Sequence, residues 1–288
     1  MTESDASTEF TDAFGILNNP TRLTIIEELA RNRADAPRDP ALTFSELRER
    51  VGESDSGTFN YHLDQLRDIF VRKETNGYVL SPEGQRFAGI AAAGGMVGAS
   101  EGYPRELEET CPVCSGRLTL DYRDGVFGVT CPDDHQFRNR VPRSVVRGRS
   151  IEAAIDRFTK YSWQQLEFAR ECVCPACFNE LDTHVFELDE SYDVRIGFEG
   201  VCDRCGEFVH VPVGLIVAHH PAVLALYLPD DPEYQQRPFW QLEAATDRVA
   251  TVVERDPLLV RVTFENAGER VVLSIDEAGR ISVVPEVD

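Results

Sequence analysis

Lysine is nearly missing from this chain: Lys73 and Lys160 are the only two among 29 Lys and Arg, and they face 50 Asp and Glu. The formal net charge of −21 argues against the broad basic surface of an ordinary nucleic-acid binder. In molar salt, however, counterion release drives DNA binding only weakly, so a basic surface is then less diagnostic. Acidic side chains with Arg in place of Lys are a halophilic composition. No apolar run of about 18 residues occurs, and the opening MTESDASTEF is acidic where a signal peptide would be basic and then apolar. The chain is therefore expected to be cytoplasmic, with no membrane contact. Catalytic signatures are also lacking. There is no HExxH, no His-x-Glu with a distant PCxxC, no Gly-rich phosphate loop and no nucleophile elbow, so no enzyme is expected and no catalytic residue is assigned.

What is present begins with 288 residues, enough for two or three compact units. A polar leader over residues 1–9 is expected to be disordered. Helix starts are then well marked. Asn19-Pro20 fits an N-cap with a first-turn proline, Thr43 and Glu46 form a capping box, and Ser81-Pro82 repeats the first device. Between Ser54 and Phe70, the residues Phe59, Leu63, Leu66 and Phe70 fall on one helical stripe. VRKETNGYVL, from Val71 to Leu80, reads as two strands turning at Asn76-Gly77. Helix, helix, helix, turn, helix, hairpin, helix over residues 10–93 is the order of a winged helix-turn-helix.

With that stripe inward, Gly57, Tyr61, Asp64, Gln65 and Asp68 face outward. Ser56, Thr58, Asn60, Tyr61 and Gln65 supply groups able to bond base edges or phosphates of double-stranded DNA, and Arg72 and Lys73 open the wing. LNNPTRLTIIEEL, LTFSELRERVGESDSGTFNYHLDQL and GYVLSPEG, in that order, resemble the ArsR-like winged helix regulators, above all the version common in haloarchaea. The resemblance implies transcriptional regulation and binding to palindromes as a homodimer. Two departures stand out. SELRERV, Ser45 to Val51, lacks the cysteines of metal-sensing members, and Asp64 stands where a basic residue is common.

Eight cysteines without an export signal, six of them in CxxC pairs, read as metal sites rather than disulfides. After a linker over 94–106, a first zinc-ribbon-like module is expected at 107–147. Its ligands would be Cys111, Cys114 and Cys131 with His135; Asp134, standing where a ribbon ordinarily has cysteine, is the alternative fourth ligand. A connector helix over 148–171 leads to a second module at 172–213, with an all-cysteine site of Cys174, Cys177, Cys202 and Cys205. Cys172 is left over as a small apolar side chain. One or two structural Zn2+ ions are the expected cofactors. Residues 214–288 read as helices at Val217–Leu228 and Phe239–Val253 followed by alternating strands, and His219-His220 as a helix start or surface. The fold class is α+β: winged helix-turn-helix, two zinc-ribbon-like β-hairpin modules, and a small C-terminal α+β segment. A second resemblance, to the alpha subunit of archaeal transcription factor E, which also joins a winged helix to a zinc ribbon, implies instead contact with the transcription machinery.

Overall fold

The computed structural model describes residues 15–94 and 104–285, so the expected 1–9 leader and most of the 94–106 linker lie outside the described residues. The protein is mixed α+β with four small antiparallel sheets, and it divides into two compact units at about residue 97. Among the described residues no helix is long and apolar enough to cross a membrane.

The first unit runs α1 (Pro20–Asp35), α2 (Phe44–Val51), α3 (Ser56–Leu66), β1 (Val71–Glu74), β2 (Gly77–Leu80) and α4 (Pro82–Ala92). Each expected cap is formed. Asn19 Oδ1 accepts from the Arg22 N–H at 3.2 Å, Thr43 and Glu46 cap reciprocally, and Ser81 Oγ accepts from the Gly84 N–H at 2.9 Å. Phe59, Leu63, Leu66 and Phe70 are all buried, packed with Ile25, Leu29 and Leu47. Two local readings change. The stripe does not continue as one helix to Phe70: α3 ends at Leu66, Arg67 is extended, and Asp68 takes φ 70° in a turn, so Asp68 is not on the outward face of α3. The hairpin turn is Thr75-Asn76, and Gly77 begins β2 opposite Glu74. Gly77 is required for another reason. It takes φ 146°, and a Cβ there would lie 2.2 Å from the Leu42 carbonyl oxygen. Leu42 bridges Tyr78 by paired backbone hydrogen bonds of 3.1 and 2.8 Å, adding a third short segment beside the hairpin.

The second unit contains three sheets. The first orders β3 (Arg105–Thr110), β4 (Arg117–Arg123), β5 (Val126–Thr130) and β6 (Gln136–Arg140) consecutively. Helix α5 (Ile151–Arg170) follows. The second sheet is β7 (Asp182–Glu187), β8 (Ile196–Val201) and β9 (Phe208–Pro212). Short helices α6 (Val213–Val217) and α7 (Pro221–Tyr227) lead to the third sheet, β10 (Ala250–Arg255), β11 (Leu258–Asn266), β12 (Glu269–Asp276) and β13 (Ile281–Val283). The two cysteine-bearing modules are thus larger than hairpins, because β3, β6 and β9 pair onto them. The helix expected over Phe239–Val253 is absent. Three 3-10 turns over 239–249 pass into β10, interrupted by extended Leu242 and Thr246. A single core runs from Leu107 to Ile275, so modules, connector and C-terminal strands share one interior.

Helix α5 crosses this core. Phe158 stacks on Phe127 of β5 at 4.3 Å between ring centroids, and Trp163 stacks on His219 at 3.7 Å. His219 is therefore not a surface residue, whereas His220 does cap α7, its Nδ1 accepting from the Ala222 N–H at 3.2 Å. Burial, reinforced by the Arg170 charge, lowers the His219 pKa from 6.5 to about 4, and its Nε2 has no hydrogen-bond partner. Because folding lowers this pKa, the unfolded chain takes up the proton first. The contribution to stability is whole above about pH 6.5 and falls away toward pH 4, by about 3 kcal/mol in all. His219→Phe, which keeps a ring against Trp163, should flatten the loss of stability between pH 6.5 and 5 in urea titrations. An unchanged pH slope would show that this histidine is not buried neutral.

Candidate metal centres and nucleic-acid interface

Each CxxC turn is built the same way. In the first, the Ser115 N–H donates to the Cys111 carbonyl at 2.9 Å and the Cys111 N–H to the Gly116 carbonyl at 2.8 Å. The residue after the second cysteine then takes positive φ: Ser115 at 64°, Phe178 at 63° and Gly206 at 72°. The fourth turn is tighter. In Cys131-Pro132-Asp133-Asp134-His135 the left-handed residue is Asp134, at φ 63°, one position earlier than in the other three. The position that a cysteine fills elsewhere is thus consumed by the bend, and the donor that joins the three thiols falls on the next residue, His135. His135 Nδ1 lies 3.3 Å from Cys131 Sγ, while Asp134 Oδ1 accepts from Gln136 Nε2 at 2.6 Å.

Cys111, Cys114, Cys131 and His135 form one group and Cys174, Cys177, Cys202 and Cys205 another, with the donor atoms of each within 4.8 Å of one another. Contacts between thiols are 3.5 Å for Cys114 with Cys131 and 3.6 Å for both Cys174 with Cys205 and Cys177 with Cys202. A disulfide would need about 2.05 Å. A tetrahedron with zinc–sulfur bonds of about 2.3 Å has edges of about 3.8 Å. The donor sets therefore fit a four-coordinate soft cation. Asn179 Nδ2 reaches Cys177 Sγ at 3.3 Å, a hydrogen bond that favours thiolate, whereas at Cys114 the Gly116 N–H at 3.4 Å is outweighed by burial and by Asp133 and Cys131, and the thiol is pushed up. The Asn179 side chain and backbone N–H hold the Cys177 thiol down at about 6, while burial pushes Cys174 up. Cys172 stands apart, its Sγ 3.5 Å from Thr183 Oγ1.

A match to the family described as domain of unknown function DUF7351 covers residues 108–281, more than half the chain and all eight of these donors. The chain belongs to the DUF7351 family. A second family, domain of unknown function DUF7347, matches residues 10–91, so the two matches fall one on each compact unit. No curated protein and no solved structure matches the chain. The DUF7351 region holds both metal groups within its common core, with Cys111, Cys131, Cys174 and Cys202 buried and Cys205 alone exposed.

The α3 face lies outside the DUF7351 region. Ser56, Thr58, Asn60, Tyr61 and Gln65 are exposed, as are Arg72 and Lys73 on β1. Several are already engaged. Asp55, a cap that the sequence reading missed, accepts from the Thr58 N–H, which holds its carboxyl below the usual range. Asn60 Nδ2 donates to Asp64 Oδ2 at 2.8 Å, and Arg67 pairs with Asp64 at 3.1 Å. Arg72 pairs with Glu74 at 3.7 Å, and Lys73 sits over the Tyr78 ring at 5.8 Å. Tyr61 is 59% exposed, much for a large aromatic side chain, and contacts the ring of His62 edge-on at 5.3 Å.

Proposed function

We propose that this chain is a DNA-binding transcriptional regulator whose first unit is an ArsR-like winged helix and whose second unit carries two structural zinc ions. The observation that carries the reading is α3. Beside its buried stripe it carries five exposed, uncharged hydrogen-bonding side chains, Tyr61 and Gln65 on the opposite face and Ser56, Thr58 and Asn60 toward the N-terminal end, with the β1–β2 hairpin following directly. Such a helix suits the major groove, where Asn and Gln pair with adenine and hydroxyls bond phosphates. Pairing of Asp64 with Arg67 offsets the carboxylate that would otherwise repel phosphate. The partner is double-stranded DNA, bound by a homodimer in the cytoplasm.

Zinc is the reading of both metal groups. Cys111, Cys114, Cys131 and His135 would hold one ion, and Cys174, Cys177, Cys202 and Cys205 the other. With four protein donors each, neither has an open position for substrate, so the metal's chemistry is to crosslink loops. The acidity of the chain favours a second reading, an accessory factor that acts on the transcription machinery by protein contact.

Footprinting in molar potassium chloride separates the two. A regulator should protect a discrete palindromic site, and Asn60→Ala should weaken binding about 10- to 100-fold at the base pair it reads. Protection without sequence preference, unchanged by Asn60→Ala, would favour the accessory-factor reading.

A further inference from the structure

The first metal group has a neighbour that comes from the second module. His135 presents Nδ1 to Cys131 Sγ, and its other ring nitrogen, Nε2, lies 2.8 Å from Asp193 Oδ2, a residue 58 positions further along the chain. Metal ligation needs one imidazole nitrogen free of its proton, and the hydrogen bond made by the other nitrogen decides which one that is. A carboxylate at Nε2 accepts the Nε2–H and leaves Nδ1, the atom facing the thiols, with its lone pair.

The loop that carries Asp193 is closed and anchored. The Leu188 N–H donates to the Arg195 carbonyl at 2.7 Å across its base, and the Ser191 N–H donates to Asp189 Oδ1 at 2.8 Å within it. Beyond Asp193, the N–H groups of Arg195 and Ile196 both donate to the Asp247 carboxylate, at 2.7 and 3.3 Å. Asp247 lies in the 3-10 turn Asp247–Val249, which packs against α6, β10 and β11. The hydrogen bond is made across modules, and His135 keeps only 14% of its side chain exposed.

We propose that Asp193 is a positioning residue of the first metal centre: it sets the tautomer and orientation of His135, so that the second module tunes the metal affinity of the first. The inference rests on the reading that the first group binds metal through His135. It ties the first centre to the 188–195 loop of the second module. Asp193 itself is largely exposed, so its effect belongs at the lower end of what such outer carboxylates contribute, about tenfold in affinity.

The test uses the full chain loaded with Co2+ as a probe, because a centre of three thiolates and one imidazole absorbs differently from one of four thiolates. In chelator competition, Asp193→Asn should weaken the mixed centre about tenfold and leave the all-thiolate centre unchanged, while Glu190→Gln in the same loop should change neither. Nitrogen NMR of the zinc-loaded chain should show His135 protonated at Nε2, with that proton exchanging faster in Asp193→Asn. Equal affinity of the mixed centre in wild type and Asp193→Asn would overturn the positioning role alone. A wild-type chain lacking the mixed-centre spectrum would overturn the ligand reading itself, and the proposal with it.

Discussion

Cys202→Ser is expected to remove one metal ion per chain and to destabilise the second unit by on the order of 5 kcal/mol, well beyond an ordinary substitution. Cys202 is 1% exposed, and its thiol lies 3.6 Å from Cys177, where an ion would tie the turn before β7 to the turn after β8. Loss of one donor leaves three thiols crowded in a small space with nothing to neutralise them as thiolates. In free zinc-dependent modules the metal supplies essentially the whole folding free energy. Here part of the load is carried by the shared core, which sets the lower figure. Cys172→Ser supplies the contrast, since Cys172 faces Thr183 rather than the cage, and its replacement should leave the metal content unchanged. Metal content by elemental analysis, with urea unfolding before and after chelation, checks both. Wild-type stoichiometry in Cys202→Ser would remove this residue from the ligand set.

Phe158→Ala should cost about 3–5 kcal/mol, the range for emptying a buried aromatic site. Phe158 is 1% exposed at the middle of α5. It stacks on Phe127 of the first module and meets Phe239 at 6.4 Å and Trp240 at 6.1 Å in the segment before the last sheet. One side chain on α5 thus meets elements drawn from two other stretches of sequence. Its loss should lower the melting of both metal modules together in calorimetry, because they share one interior. A loss under about 1 kcal/mol, or modules that melt in separate steps, would contradict that shared core.

Local devices in this chain were legible before any coordinates. Asn19, Thr43 with Glu46, and Ser81 act within three residues of themselves, and each forms the cap expected of it. The Phe59, Leu63, Leu66, Phe70 stripe and the two cysteine groups also follow from spacing. What spacing left dark is what comes from far along the chain. Strands β3 and β6 are short and mostly polar on one face, and only pairing with a neighbour makes them strands. The 239–249 segment has apolar residues at helical intervals, yet Phe239, Trp240, Leu242 and Val249 are buried from successive 3-10 turns. Tertiary burial there outweighs helical propensity. Choosing His135 over Asp134 needed the backbone, since the position of a left-handed residue has no signature in CPDDH. Asp193 could not have been found at all, because its partner lies 58 residues away in another sheet.

If α3 reads a DNA sequence as proposed, chromatin immunoprecipitation of the full chain in its native host should find discrete sites that share an inverted repeat and disappear with Asn60→Ala. Occupancy that instead follows RNA polymerase across promoters, with no common sequence and no response to Asn60→Ala, would contradict it.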